Sequence, residues 1–293
     1  IASELEKRLA DFKHSESALV FNTGYMTNLG VLYGLLQTGD VVFSDELNHA
    51  SIIDGCRISR CKVVVYKHND MADLQRLLET EIVTGQRFIV TDGVFSMDGD
   101  IADLPSLAVL KKQFNAFLIV DDAHGVGVIG NDGSGTASHY GLTDVIDLQV
   151  GTLSKALAAE GGYVPGKKIL IDYLINRSRP FIFSTALAPA TLAAANAALL
   201  LLQTQASKYL DSLRANSRLM RRLLLEGGLN VVEGITPIIP VVIGEAGLTM
   251  QFADRLKSKG ILVSGIRPPT VPRGESRLRI TVTAAHCEEQ LRQ

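Results

Sequence analysis

A chain of 293 residues, 46% hydrophobic and 20% charged, carries enough apolar material for two domains, or for one large domain with a smaller appendage. Its formal net charge of -2 argues against a general polyanionic partner, so neither nucleic acid nor an acidic membrane surface is expected. The three cysteines, Cys56, Cys61 and Cys287, form no CxxC pair and no even-numbered disulfide set, which points to free thiols in a reducing, cytoplasmic setting.

The chain opens on Ile1-Ala2-Ser3-Glu4, with no initiator methionine and no signal peptide, and Leu5, Leu9 and Phe12 follow at helical spacing. The opening is therefore expected to be the middle of a longer protein. Up to about residue 165, short β-rich runs alternate with helical patterns. The runs are Ala18–Phe21, Val41–Phe43, Val63–Tyr66, Phe88–Val90, Phe117–Val120 and Val145–Leu148. Each is almost continuously apolar, as expected for strands covered on both faces. Between them, Met71–Thr80 and Leu104–Phe114 place apolar residues three and four apart. The pattern predicts an α/β fold with an open, mainly parallel sheet.

The apolar stretch Ala186–Leu202 is mostly alanine and contains Pro189, Thr191 and Asn196, so it reads as a buried helix and not as a membrane span. Beyond it come an amphipathic stretch, Tyr209–Leu225, and strand patterns at Pro237–Ile243, Ile261–Val263 and Arg277–Val282. These predict a large domain over residues 1–202 and a smaller α+β domain over residues 203–293.

Ligands of open parallel sheets bind beyond the carboxyl ends of the strands. Five such ends are polar here: Asn22-Thr23-Gly24-Tyr25, Asp45 to His49, Thr91-Asp92-Gly93, Asp121-Asp122-Ala123-His124 and Gly151 to Lys155. Five together suggest a ligand with several distinct polar groups. Gly125-Val126-Gly127-Val128-Ile129-Gly130 fits a dinucleotide fingerprint, but Asn131 to Gly135 continues it as a loop where the fingerprint needs a helix. Lys155 alone could be a surface lysine, and Asp121 alone a cap or ion-pair partner. In company with His124, they suit a carbonyl cofactor, because lysine forms Schiff bases and pyridoxal phosphate needs an acid at its ring nitrogen. The backbone N–H groups of Gly24-Tyr25, opening a helical pattern, could hold a phosphate. No metal site is expected.

Asp121 to Gly125, Gly93 to Asp100 and Thr152-Leu153-Ser154-Lys155 resemble the motifs of the α-oxoamine synthases, and the likeness runs from about residue 4 to the end. These are fold-type I pyridoxal-phosphate transferases that join an amino acid to an acyl-CoA with loss of CO2. The resemblance implies that Lys155 forms the Schiff base and acts as base, its ammonium made less basic by burial and by the cofactor. It implies Asp121 at the pyridine nitrogen, His124 at the phenolic oxygen, Ser96 beside the ring and His49 stacked on its face, near the substrate. Thr152 and the Gly24-Tyr25 backbone would hold the phosphate. Ser184 and Thr185 would reach the phosphate of the partner subunit, in a homodimer with shared sites. Arg279 would grip the amino-acid carboxylate, a task suited to a guanidinium fork, although the same residue could be an exposed strand cation.

Gly265 to Pro272 and Ser276 to His286 are most similar to the members that condense L-alanine with pimeloyl-CoA, or a pimeloyl carrier protein, at the start of the biotin rings. That likeness implies Thr270 at the substrate end, with Arg267 as a second candidate for the carboxylate. A glycine C-acetyltransferase, or another member of the family, would share Lys155 and Asp121. A non-catalytic partner subunit is the reading from a different class, and the presence of Lys155 speaks against it. Asp92 stands where some members carry Glu. The family's N-terminal segment, with a substrate-contacting arginine, is not in this chain, and its last helix is expected to be cut short at Gln293.

Overall fold

Leu5, Leu9 and Phe12 become the buried face of α1 (Ala2–Phe12) in the computed structural model, which describes residues 1–293. An eleven-residue helix is marginal on its own, and each buried side chain of this size contributes roughly 1.5–3 kcal/mol, so packing holds α1 in place. The elements then run β1 (Ser17–Phe21), α2 (Gly24–Leu35), β2 (Val41–Asp45), α3 (Ala50–Ile58), β3 (Lys62–Tyr66), α4 (Met71–Thr80), β4 (Arg87–Asp92), α5 (Leu104–Phe114) and β5 (Phe117–Asp121). After these come α6 (Thr136–His139), β6 (Leu148–Thr152), β7 (Gly162–Gly166), α7 (Lys168–Arg177), α8 (Arg179–Ile182) and the long α9 (Pro189–Glu226). The remaining elements are β8 (Ile238–Gly244), α10 (Ala246–Ser258), β9 (Ser264–Ile266), β10 (Ser276–Thr281) and α11 (Glu288–Leu291).

The chain divides into two compact units. One comprises residues 1–94 and 101–206; the other comprises residues 95–100 and 207–293. In the first, seven strands form one sheet in the order β1-β7-β6-β5-β4-β2-β3. The pairs from β6 to β3 are parallel, and β7 runs antiparallel to both β6 and β1. The sheet is thus mainly parallel, as expected. One apolar cluster joins Val31 and Leu32 of α2, Ile52 of α3 and Leu174 of α7 to Val42, Val90, Ile119 and Val150 of the strands. A second joins Leu5 and Leu9 of α1 to Leu153, Tyr163 and the Leu192, Ala195 and Leu199 face of α9. The second unit holds the three-stranded antiparallel sheet β8-β10-β9, with α10 contributing Ala253 to a core around Val241 and Leu278.

Several local expectations change. Val145–Asp147 is a turn, with the N–H groups of Val145 and Ile146 donating to Leu142 O, and β6 begins only at Leu148, opposite Ile119 of β5. The glycine- and proline-bearing β7 was not apparent as a strand, because pairing on both sides, not β propensity, makes it one. β3 is not covered on both faces: it is the edge strand, with Val63 and Val65 exposed. Ile261–Val263 precedes the strand, Leu262 is exposed, and the ladder with β10 takes Ser264–Ile266 instead. From Pro189 onward the stretches Ala186–Leu202 and Tyr209–Leu225 join into α9, which leaves helical geometry at Gln205. No helix is long and apolar enough to cross a membrane.

Candidate active site

Parallel pairing from β6 to β3 brings the carboxyl ends of β2, β4, β5 and β6 to one edge of the first unit's sheet. β1 runs parallel to β6 across the intervening β7, so its own end, Asn22-Thr23-Gly24, arrives at the same edge. The polar residues at these ends are gathered by topology.

Asp121 closes β5 and is only 6% exposed. Its Oδ2 accepts a hydrogen bond from Asn28 Nδ2 (2.5 Å), and its Oδ1 accepts one from the Ala123 backbone N–H (3.0 Å). Burial raises its pKa, while these two bonds and the charges of Lys155 and His49 oppose the rise. Asn28 also donates to Ser51 Oγ (2.8 Å), which lies 2.7 Å from His49 Nδ1. A polar relay thus runs from Asp121 through the α2 helix to the residue that caps α3.

Asp92, directly opposite Asp121 in the β4–β5 ladder, accepts the His49 backbone N–H at Oδ2 (2.9 Å). Burial first, and the neighbouring Asp121 carboxylate second, push its pKa well above the ordinary carboxylate range. Two buried acids side by side cannot both ionise cheaply, so the pair favours one negative charge. Lys155 follows β6, and its charge lowers the pKa of both acids. It is exposed in the chain, contrary to the expectation that burial would tune its ammonium. His49 is exposed too, with its imidazole accessible beside the same edge, and His124 is half-buried in the turn that follows Asp121.

At the other end of the group, Thr23 caps α2 by accepting the Met26 N–H (3.0 Å). The N–H groups of Gly24 and Tyr25 belong to the first helical turn and have no acceptor within the helix. Gly162 of β7 sits against them: a Cβ there would lie 2.7 Å from Gly24 N and Cα. Thr152 Oγ1 donates to Gly161 O (3.0 Å) and shares a 2.7 Å hydrogen bond with Ser154 Oγ. A Cβ on Gly24 would come within 3.3 Å of Thr152 Oγ1. Backbone N–H groups and hydroxyls around a glycine-bared surface suit an anion. The Tyr25 phenol donates to Asp54 Oδ2 (2.5 Å), so Tyr25 offers this end its backbone alone. Ser184 and Thr185 lie after α8, half-buried and exposed respectively, with Thr185 O accepting from Asn22 Nδ2 (2.6 Å). The edge therefore presents an anion cradle, a lysine amine and a buried carboxylate. That donor set fits a ligand with a phosphate, a carbonyl and a basic ring nitrogen.

Ser96, Arg267, Thr270 and Arg279 belong to the second unit. Arg279 is half-buried; its Nε donates to Ser96 O (2.5 Å) and its Nη1 to Thr281 Oγ1 (3.0 Å), while desolvation lowers its pKa. Nη2 takes part in neither bond. Arg267 and Thr270 are exposed on the turn after β9, closed by Thr270 N–H donating to Arg267 O (3.1 Å). Arg277, two residues before Arg279 in β10, is 4% exposed and ion-paired with Asp98 and with Glu275 (3.1 Å). No group of three or more His, Cys, Asp or Glu is placed to hold a metal.

Asn28, Ser51 and Lys13 were not apparent as site residues. A polar Asn one helical turn beyond Gly24, inside the mostly apolar α2, is the signal that could have marked Asn28.

The aminotransferase class I and II family profile matches residues 1–293. A protein from Lysinibacillus sphaericus named 8-amino-7-oxononanoate synthase is 50% identical over 291 residues, which is 99% of this chain and 75% of that protein. A lysine-to-alanine variant of serine palmitoyltransferase from S. paucimobilis, solved with a bound PLP–myriocin aldimine, superposes with a TM-score of 0.95 at 32% identity. The match covers 98% of this chain and 73% of that one. The 8-amino-7-oxononanoate synthase of Francisella tularensis superposes with a TM-score of 0.86 at 31% identity, covering 100% of this chain and 84% of that one.

Proposed function

The chain belongs to the aminotransferase class I and II family, and we propose that it is a pyridoxal-phosphate acyltransferase that condenses L-alanine with pimeloyl-CoA, or a pimeloyl carrier protein. The products are 8-amino-7-oxononanoate, CoA and CO2, in biotin biosynthesis. The observation that carries this reading is the gathering of Lys155, buried Asp121 and the α2 N-terminus at one sheet edge, in a chain half identical to relatives bearing that name.

Pyridoxal phosphate, when bound, supplies an electron sink for the carbanion generated at the amino-acid α-carbon. The residues present fit it. Lys155 Nζ would hold its aldehyde carbon, and the Gly24 and Tyr25 N–H groups with Thr152 would hold its phosphate. The Asp121 carboxylate would keep a proton on the ring nitrogen, and Asn28 fixes the direction from which it does so. His124 is assigned the phenolic oxygen, while His49, whose backbone is pinned by Asp92 and whose ring is oriented by Ser51, is assigned the ring face. Lys155 Nζ would remove the α-proton of bound alanine and would return a proton to the same carbon after acylation, with departure of the CoA thiolate and of CO2.

In the second unit, Arg279 is assigned the amino-acid carboxylate, where Nη2 and Nη1 form the fork. Ser96 is assigned the ring edge, and Thr270 with Arg267 the substrate end. Ser184 and Thr185 are assigned the phosphate bound by a second copy of this chain, which makes the enzyme a homodimer. A cytoplasmic location is in keeping with the CoA substrate.

The test is a product screen. The purified protein, yellow with bound cofactor, is offered alanine, glycine or serine with pimeloyl-, acetyl- or palmitoyl-CoA. Release of CO2 and 8-amino-7-oxononanoate from alanine and pimeloyl-CoA is the expected outcome. Preference for glycine with acetyl-CoA would replace this reading with that of a glycine C-acetyltransferase.

A further inference from the structure

Asp122 lies between Asp121 and the turn that carries His124, yet its carboxylate makes a wholly different set of contacts. It is fully buried. Its Oδ2 is 2.9 Å from the ammonium of Lys13, a lysine only 2% exposed at the C-terminal cap of α1. Thr136, itself fully buried, donates its backbone N–H to both carboxylate oxygens (3.2 and 3.1 Å) and its hydroxyl to Oδ1 (2.8 Å). Lys13 Nζ also donates to Ser134 O. The backbone of Asp122 is held as firmly: its N–H donates to Val150 O of β6 (2.8 Å), and its carbonyl accepts from Gly125 N (3.0 Å) and Val126 N (3.1 Å), which closes the His124 turn.

Gly125, the first glycine of the pattern that imitates a dinucleotide fingerprint, packs against this group, as does Gly135 beyond that pattern. A Cβ on Gly125 would lie 2.0 Å from Asp122 Oδ1, and one on Gly135 would lie 1.7 Å from Oδ2. Gly135 also adopts φ +111°, open to glycine alone without strain. These glycines bare the backbone so that it can wrap a carboxylate of the protein itself. No phosphate is needed to account for them.

We propose that the buried Lys13–Asp122 pair, locked by Thr136, is a positioning device that sets where Asp121 and His124 meet the cofactor. A site that needed only stability could be filled with apolar side chains, since buried ion pairs are often no better than hydrophobic replacements. What the pair supplies is direction: its bonds tie α1, β6 and the loop before α6 to the single residue flanked by Asp121 and the His124 turn. It also supplies neutrality. The Lys13 ammonium cancels the Asp122 charge, which would otherwise stand beside Asp121 and favour protonation of that acid.

The inference rests on the assignment of Asp121 and His124 to pyridoxal phosphate, and its test separates the two. Cofactor dissociation is followed by release from the holoenzyme, together with the pH dependence of its absorption band and the unfolding temperature. Lys13→Met is expected to weaken cofactor binding about tenfold and to move the acid limb of the absorption profile to higher pH. Thr136→Val, nearly isosteric, is expected to weaken binding about threefold, whereas Thr136→Ser, which keeps the hydroxyl bond but loses a methyl, lowers the unfolding temperature and binds as the parent does. The Thr136 variants decide the matter even if Lys13→Met does not fold. Parental binding and an unshifted profile in Thr136→Val would overturn the proposal, as would equal loss of binding in Thr136→Val and Thr136→Ser. A parent chain that binds no pyridoxal phosphate would overturn the functional reading instead.

Discussion

Asp121 in the first unit and Arg279 in the second are both charged residues assigned to the chemistry, but their surroundings differ. Asp121 is 6% exposed and is bonded by Asn28 and by its own following turn. Arg279 is half-buried, and Arg267 and Thr270 of the same unit are exposed. In the first unit the cost of desolvating a carboxylate is partly offset by hydrogen bonds made on folding, and these bonds set its geometry. In the second unit Arg267 stays exposed, whereas Arg279 is partly desolvated, which lowers its pKa. The contrast recurs within β10 itself. Arg277 and Arg279 stand two residues apart on one face of the strand, but Asp98 and Glu275 bind the first as a structural group, whereas the second, bonded to Ser96 O and Thr281 Oγ1, is the one proposed for the substrate.

The largest effect is expected from removing the lysine proposed to hold the cofactor in the first unit. Lys155→Ala should lower turnover by roughly 10^4 or more, since the group that holds the cofactor and the base are lost together. Borohydride reduction of the parent, followed by peptide mapping, should place the pyridoxyl label on Lys155; a label on Lys167 or Lys168 would sink the assignment. Asp121→Asn comes next. A neutral amide cannot keep the ring nitrogen charged, so solvent exchange of the alanine α-proton should fall by about a hundredfold while the fold persists. Near-parental exchange in that variant would end the role given to Asp121.

Conservative changes at Arg279 and Arg277 sharpen the comparison within β10. Arg279→Lys keeps the charge and loses the fork, so alanine binding should weaken about tenfold with cofactor binding intact. Arg277→Lys should leave alanine binding unchanged and cost about 1–3 kcal/mol of stability, because a single ammonium cannot serve both Asp98 and Glu275 from a buried position. Titration with alanine and urea unfolding read the two effects separately. Equal losses of alanine affinity would move the carboxylate elsewhere, with Arg267 the next candidate.

The smallest effect is a pH dependence. Asp92 and Asp121 have folded-state pKa values raised above the ordinary 3.8, chiefly by burial. Between that value and the raised ones the folded chain binds more protons than the unfolded chain, so stability is greatest below the window and falls as pH rises through it. Asp92→Asn removes one of these groups. Its cofactor-free form should lose less stability between acid and neutral pH than the parent does. An equally steep decline, measured by urea unfolding over a pH series, would show that burial of the Asp92 carboxylate costs the fold nothing.

The amino-acid sequence by itself determined the alternation of apolar runs and helical patterns, hence the α/β class, and placed Asp121 at a strand end and His124 and Lys155 just beyond strand ends. It did so because strand and helix periodicities, and the polar residues that follow them, are local properties of the chain. The bounds of α4 and α5 were legible for the same reason. Only the tertiary structure decided the rest. β7 is a strand because two neighbours pair with it, and β6 starts where the ladder with β5 allows it, not where the apolar run begins. Residues 95–100 group with the C-terminal unit although the chain around them belongs to the first. Asn28 meets Asp121 across 93 residues of chain, and Lys13 meets Asp122 across 109. No local pattern encodes such partners: a lysine reads as surface and an asparagine as a turn former until packing removes water and leaves each to bond acceptors distant in the chain.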